Sequence, residues 1–420
     1  MTWAIVDISN FYVSAERVFD PSLRRVPVIV LSNNDGCAIA RSEESKALHI
    51  KMGDPLFLLR DTIRKHGIQV RSSNYELYAD LNRRFNMVLA EHSDTVEIYS
   101  IDESFFRLPL LANGRGDVRA AHKVRASILR TVGLPTRIGL GPTRALSKVA
   151  NALAKATEKV WNGVVDLHDE ELRRRLFAEW PVGEVWGIGK ALTASLQRLG
   201  VRTAGDLAAM EPAVARDVGT VVLERLVREL NGIECDDFKP EPDAMKATAV
   251  TRQFGAPVTS VDDLREAMAR RAGRAAEKIR ARGLVAQRLI AFAHGSKHRP
   301  NPPSASRSVR LSPASNDPRV IIAHTSRMVD QMFVQGGVYT KCGVLLEELT
   351  PEGAAQADLF AQPDPRAPAL LAALDGINAR FGRDTIKIAA QGCGAKPSDT
   401  RRSQKSPSWT TNFAEIPVAR

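Results

Sequence analysis

The sequence predicts a multidomain α+β chain, on three observations. Apolar, strand-like runs near residues 2–8, 96–106 and 136–140 alternate with amphipathic helical stretches over the first 168 residues. From Glu170 the composition turns helical around a pair of closely spaced glycines, Gly187 and Gly189. Beyond a linker bearing Pro240 and Pro242, the order strand, helix, strand, strand, helix, strand runs from 247 to 348, a β-α-β-β-α-β unit. With 420 residues and 44% hydrophobic content, the chain can bury several cores rather than one.

Composition narrows the function classes. No run of about 18 apolar residues and no basic-then-apolar leader occurs, so a soluble, cytoplasmic protein without membrane contact is expected. Cys37, Cys235, Cys342 and Cys393 are far apart and lack metal-binding spacing, which argues against a structural zinc or a disulfide framework. The formal charge is +11 with a pI near 9.7, pointing to an anionic polymer as partner. The excess is local: residues 245–350 hold 17 Lys plus Arg against 8 Asp plus Glu, a net of +9.

Residues 2–19 read as strand, turn and a short helix from about Val13, with Asp7 inside the apolar strand and Phe11 and Tyr12 just after it, able to pack on a nucleotide's sugar and base. Residues 27–31 form a second strand stopped by the turn Ser32-Asn33-Asn34-Asp35-Gly36. Residues 39–48 read as helical and offer Arg41 and Lys46 to a phosphate chain; with Met52-Gly53-Asp54-Pro55 they belong to a small, mostly helical insert ending near Val70. Helices are expected at 76–89 and 118–132, a strand at 136–140, and a helix at 144–155 with Arg144, Lys148 and Lys155 along one side.

The chain is organised around Ser100-Ile101-Asp102-Glu103-Ser104, where two carboxylates sit in a β-prone run with turn chemistry, as at a hairpin tip. An Asp ending a short apolar strand is ordinarily a cap, and an acidic pair at a hairpin tip is ordinarily solvated. Three acids on adjacent strands, however, repel one another unless a cation lies between them, and hard oxygen ligands that leave room for phosphates suit Mg²⁺. Two such ions about 4 Å apart stabilise the attacking and leaving oxygens of an in-line phosphoryl transfer. The pattern therefore points to a metal-dependent nucleotidyl transferase.

Downstream, Val185-Trp186-Gly187-Ile188-Gly189-Lys190, an amphipathic run to Leu199 and Thr203-Ala204-Gly205-Asp206-Leu207 read as a helix-hairpin-helix. Its glycines let backbone approach a DNA phosphate, and N–H groups at the next helix start, by Lys190, donate to it. In the β-α-β-β-α-β unit, Arg252, Arg288, Arg307 and Arg310 lie in or beside strands, which suits a nucleic-acid platform. Gln356, Asp358, Leu359 and Phe360 lie between prolines, with the shape of a short linear motif. A helix is expected at 370–381, followed by a polar, basic end.

Asp-x-x-Asn-x-Phe-Tyr, Val-Leu-Ser-Asn-Asn-Asp-Gly-Cys, Lys-Met-Gly-Asp-Pro, Ser-Asn-Tyr-Glu-Leu-Tyr-Ala-Asp and Tyr-Ser-Ile-Asp-Glu-Ser-Phe, in this order, resemble the motifs of the Y-family DNA polymerases, and among them the UmuC-type catalytic subunits of DNA polymerase V. The resemblance implies a right-hand polymerase with a ferredoxin-like palm (1–24 and 74–168), small fingers (25–73), a helical thumb with the helix-hairpin-helix (169–236), a linker (237–244), a β-α-β-β-α-β little finger (245–350) and a flexible C-terminal region (351–420). It makes Asp7, Asp102 and Glu103 the catalytic carboxylates at two Mg²⁺ ions, with the Ile8 carbonyl as a further ligand. Tyr12 becomes a steric gate against a ribose 2′-OH, Phe11 lies beneath the incoming sugar, and Lys155 neutralises triphosphate charge. The motif at 356–360 resembles the sliding-clamp-binding pentapeptide.

The expected activity is template-directed addition of dNTPs to a primer on DNA. Fingers of about 50 residues close loosely over the nascent pair, and no segment resembles a proofreading nuclease, so the resemblance points to error-prone translesion synthesis in the bacterial SOS response. Implied partners are the clamp, a UmuD′ dimer and RecA. A palm-fold nucleotidyl cyclase would share the carboxylates but need neither the helix-hairpin-helix nor the basic sheet. A catalytically inert DNA-binding accessory protein would lose the acids, and all three are present.

Overall fold

Thr2–Ile8 (β1) is buried at every position, as a central strand covered on both faces must be. The computed structural model describes residues 1–156, 158–235, 244–354, 364–394, 396 and 399–416. It falls into two units: Met1–Ser32, Gly36–Pro242 and Gln404–Arg420 form the first, and Asn33–Asp35 with Asp243–Ser403 the second.

The first unit continues through α1 (Phe11–Phe19), β2 (Val28–Leu31), β3 (Ala38–Arg41), α2 (Glu43–Ala47), α3 (Leu56–His66), β4 (Gln69–Ser72), α4 (Tyr75–Ala90), β5 (Val96–Ile98), β6 (Glu103–Leu108), α5 (Val118–Val132), β7 (Thr136–Gly141) and α6 (Arg144–Ala156). There follow α7 (Glu158–Trp161), β8 (Val164–Asp166), α8 (Glu170–Glu179), α9 (Lys190–Arg198), α10 (Ala204–Ala208) and α11 (Pro212–Leu230). A five-stranded sheet has the order β5-β6-β1-β7-β8, with β1 antiparallel to both neighbours. Val6 and Ile8 join a core with α1, α4 and α5, whereas Trp3, Ile5 and Asp7, alternating with them along the strand, belong to the opposite face. The register sets Asp7 opposite Glu103 on one side and Arg137 on the other.

Helix α6 lies directly on β7 because that strand carries glycine where α6 passes. A methyl group on Gly139 would overlap the Ser147 carbonyl oxygen and the Asn151 nitrogen, and one on Gly141 would come within 2.8 Å of Leu146 Cβ. Asn151, nearly fully buried, donates from Nδ2 to the Arg137 carbonyl at 3.2 Å, fixing the helix to the strand.

Two sequence expectations change in the insert. Residues 38–41 are a strand, paired with β2, and the helix starts at Glu43, where Ser42 Oγ accepts from Ser45 N. The run 39–48 thus merges a strand with a capped helix, and Ser42 is the boundary. The insert also holds more strand than expected, since β3-β2-β4 form a three-stranded sheet beside α2 and α3. At the N-terminus, α1 begins at Phe11, two residues before the expected Val13, after Asn10 turns the chain with φ 49°.

In the second unit β9 (Ala247–Val258), α12 (Val261–Arg280), β10 (Leu284–His294), β11 (Ser304–Ser315), α13 (Pro318–Met332) and β12 (Tyr339–Pro351) follow the expected order. The antiparallel sheet β11-β10-β12-β9 buries alternate residues, among them Leu289, Ala291 and Ala293, with Met268, Ala272 and Ala276 of α12 and Ile321 and Val329 of α13. Helix α14 (Ala367–Phe381) comes after. Within the C-terminal region expected to be flexible, Ser406 is 6% exposed and packs in the first unit, its hydroxyl bonded to buried polar groups there. Gln356, Asp358, Leu359 and Phe360 lie outside the described residues, as does most of the expected linker. No described helix is long and apolar enough to cross a membrane.

The close approach of α6 gives a first test. Gly139→Ala forces helix and strand apart, and urea denaturation should show a loss of about 1–3 kcal/mol or more, the usual cost of overpacking.

Candidate active site and nucleic-acid interface

Three acids on the consecutive strands β5, β6 and β1 meet three cations on α6. Arg144 holds Glu97 through two hydrogen bonds of 2.7 and 3.0 Å, Lys148 Nζ lies 2.7 Å from Glu103 Oε2, and Lys155 Nζ lies 2.8 Å from Asp7 Oδ2. The expected basic side of α6 is thus a row of countercharges. Burial pushes Asp7 up to about 7 against the pull of Lys155, and the Glu103 carboxylate opposite adds to the rise. Burial also opposes charge on Glu103, but Lys148, the hydrogen bond with Asp7 and the charge of Lys155 together outweigh it and hold that carboxyl below its ordinary range. Of the two, Asp7 is therefore the one that takes up a proton first as pH falls.

Asp102 occupies the β5–β6 turn, which closes through Tyr99 N and Ser100 N donating to the Glu103 carbonyl. Ser100 Oγ donates to Asp102 Oδ1 at 2.6 Å, and the Asp102 carbonyl accepts from Ile8 N at 2.9 Å, tying the turn to the end of β1. Among the described residues no three His, Cys, Asp or Glu side chains are grouped closely enough to hold a metal: Asp102 turns to Ser100 and Glu103 to Lys148.

Asp7, Ile8 and Asp102 nevertheless open on one cavity of about 980 Å³, together with Phe11, Tyr12, Arg41, Lys46 and Lys155. Phe11 is largely core, at 4% exposure. Tyr12 is half-buried and stacks on Tyr78, with ring centroids 4.4 Å apart and planes at 15°. Arg41 Nη1 donates to the Ile50 carbonyl, and Lys46 pairs with Glu43, which also accepts from Asn10.

The expected DNA-facing residues divide. Gly187 takes φ +89°, a left-handed conformation that favours glycine, and Gly189 is the N-cap of α9, with Lys190 exposed at its first turn. Arg288 and Arg310 stand directly opposite each other in β10 and β11, both exposed. Like charges so placed repel unless an anion lies near them; Glu348 is 3.8 Å from Arg288, and both arginines remain exposed. Arg252 and Arg307 do not join them. Arg252 is paired with the buried Cys342 and lines a cavity with Arg270 and Arg274 of α12, and Arg307 is opposite the buried Ala291. The four arginines therefore do not share one face of the sheet, because strand alternation sends side chains an odd number of residues apart to opposite faces.

Comparison with known proteins decides the family. Residues 6–152 match the impB/mucB/samB family, residues 245–359 its C-terminal domain, and residues 368–419 a domain of unknown function, DUF4113. The chain is 38% identical to protein UmuC of Salmonella typhimurium (strain LT2) over 99% of each chain, and 38% identical to protein ImpB of Salmonella typhimurium over 100% of this chain and 99% of that one. The chain belongs to the UmuC-type Y-family DNA polymerases. It is also 24% identical to DNA polymerase IV of Bacillus velezensis (strain DSM 23117 / BGSC 10A6 / LMG 26770 / FZB42) over 92% of each chain. In fold it is similar to a Y-family DNA polymerase chimera of Dbh and Dpo4, with a TM-score of 0.67 at 17% identity over 83% of this chain and 98% of the other.

Within this polymerase several site neighbours escaped the sequence reading. Arg137 lines the nucleotide-sized cavity from β7, and its signal was a cation inside an otherwise apolar strand. Tyr78 was read as part of an amphipathic helix, and nothing in that periodicity marks it as the platform of Tyr12. On the basic sheet, Phe292 stacks with His294 at 4.9 Å beneath Lys341, and Gly343 leaves room for the Phe292 ring.

The division of the arginines is testable on primed DNA. Each lost phosphate contact lowers the slope of log K against log salt by about 0.9. The Arg288→Ala, Arg310→Ala double variant should reduce the slope by about 1–2, whereas Arg252→Ala leaves it unchanged; an equal drop for Arg252→Ala would contradict the assignment.

Proposed function

We propose that this polymerase extends primers across damaged templates, with low fidelity, in the bacterial SOS response, and that Asp7, Asp102 and Glu103 carry the catalysis. The observation that carries the reading is the convergence of Asp7, Asp102, Tyr12 and Lys155 on one cavity. Residues 1–24 and 74–168 serve as palm, 25–73 as fingers, 169–236 as thumb and 245–350 as little finger. The clamp, through Gln356, Asp358, Leu359 and Phe360, with UmuD′ and RecA, are its protein partners.

The donor types suit a hard dication: carboxylates of Asp7, Asp102 and Glu103 and the Ile8 carbonyl are all oxygen, and to hold one the three carboxylates would turn from Lys155, Ser100 and Lys148. Bound there, two Mg²⁺ ions supply charge stabilisation to the attacking and leaving oxygens. The chain's own groups position and neutralise. Lys155, 43% exposed on a flexible stem, can exchange Asp7 for a triphosphate oxygen, with Arg41 and Lys46 on the same cavity. Tyr12, backed by Tyr78, presents a ring where a ribose 2′-OH would collide. Positioning of this kind is what phosphoryl transfer needs from a protein.

Two experiments test this. On a primed template with an abasic site, supplied with Mg²⁺, dNTPs, clamp, UmuD′ and RecA filament, the wild type should extend and Asp102→Ala should lose extension by about 100- to 1,000-fold. A fully supplemented wild type that binds but never extends would sink the reading. The second follows from the proton that Asp7 takes up, which a metal must displace. Apparent Mg²⁺ affinity should rise by up to roughly tenfold per pH unit from pH 6 and level off above about 7. Activation by Mg²⁺ that is flat from pH 6 to 8 would remove Asp7 from the metal site.

A further inference from the structure

The segment after Ser403, within the match to the domain of unknown function, is attached to the two helices that carry the Tyr12–Tyr78 pair. Ser72 N donates to the Gln404 carbonyl and Gln404 N to Ser72 Oγ, both at 2.9 Å, so the segment extends alongside the end of β4. Asn74, the N-cap of α4, is fully buried and donates from Nδ2 to Ser406 Oγ at 2.9 Å and to the Pro407 carbonyl at 3.2 Å. Ser406 Oγ in turn donates to Glu16 Oε1 at 3.1 Å. Trp409 stacks on Phe19, the last residue of α1, with centroids 5.1 Å apart and planes at 16°.

Glu16 is the junction. It is fully buried in α1, one helical turn beyond Tyr12, and its Oε1 also accepts from Tyr78 OH at 2.7 Å. Its second oxygen, Oε2, has no hydrogen-bond partner among the described residues. A carboxyl buried in this way depends on the two hydroxyls it has, because each lost bond exposes the full desolvation cost of the group. Tyr78 is held on one side by Glu16, and its ring face supports Tyr12.

We propose that residues 404–409 are a positioning element of the sugar gate. Ser406 fixes Glu16, Glu16 fixes the Tyr78 hydroxyl, and the Tyr78 ring sets the stiffness with which Tyr12 meets the sugar. The C-terminal segment thereby contributes to the choice of deoxyribonucleotides over ribonucleotides without touching the nucleotide. The inference rests on the reading of Tyr12 as that gate.

The test uses the full-length chain in the supplemented extension assay on an undamaged primed template, measuring kcat/KM for a dNTP and the matching rNTP. Ser406→Ala should lower the dNTP-to-rNTP selectivity about 3- to 10-fold, the effect of one buried hydrogen bond, while kcat/KM for the dNTP stays within about twofold. Ser406→Thr, which keeps the hydroxyl, restores selectivity. Tyr78→Phe, which cuts the same chain at its next link, lowers it similarly, and the double variant is no worse than either single one. Trp409→Ala, which loosens the segment without touching Glu16, should give the same direction of change. Tyr12→Ala is the reference. If it abolishes selectivity while Ser406→Ala and Trp409→Ala leave it intact, the positioning role is overturned and the gate stands. If Tyr12→Ala leaves selectivity unchanged, the gate reading falls and this inference falls with it.

Discussion

Asp7 lies 4% exposed on a central strand, directly opposite a second acid, and the rest of the palm sheet is arranged to tolerate it. Unpaired, two facing carboxylates taken out of water would cost several kcal/mol each. The countercharges come from one helix, spaced so that Arg144, Lys148 and Lys155 answer Glu97, Glu103 and Asp7 in strand order. That matching requires α6 to lie close against the sheet, and Gly139 and Gly141 allow it. A side chain at either glycine would move all three cations together. The electrostatics of the site and the backbone packing beneath it are therefore one constraint.

The three pairs are not equivalent. Lys148 is 10% exposed and is further held over the Tyr99 ring, 4.4 Å from its centroid, with Phe105 and Trp186 nearby. A cation in an aromatic surround is costly to pull away. Lys155, with far more exposure, has no such enclosure among its described contacts and stands at the cavity. Glu103 thus has a fixed partner and Asp7 an exchangeable one, which agrees with Asp7 taking up a proton first.

Much of this was legible in the sequence. Strands with long-range partners declared themselves through apolar runs, and the β-α-β-β-α-β order could be read because each element is long. Residues 39–48 were misread because a four-residue strand and a five-residue helix are both shorter than the window in which periodicity is clear. Asp102 and Glu103 stood out as an acidic pair in a turn, yet their separate partners, Ser100 and Lys148, depend on which way each side chain leaves the hairpin. The arginines of the basic sheet were found by composition, but sorting them into faces needs the cross-strand register, which sets Arg288 opposite Arg310 and Arg307 opposite the buried Ala291.

Glu16 shows most plainly where local reading ends. On a helix wheel it is one acid in a short amphipathic segment, with nothing to distinguish it from a solvated residue. Its burial requires partners at Tyr78 and Ser406, which lie 62 and 390 positions away in the sequence. No period or motif links positions so distant; they meet because the chain returns to its first unit after building the second. A return of this kind costs loop-closure entropy that grows slowly with length, and what offsets it here is specific: a buried hydroxyl between an amide and a carboxyl, and an indole on a phenyl ring. Contacts so particular bind the segment to one place, and that place is beside Glu16 of α1, one helical turn from the Tyr12 that lines the cavity.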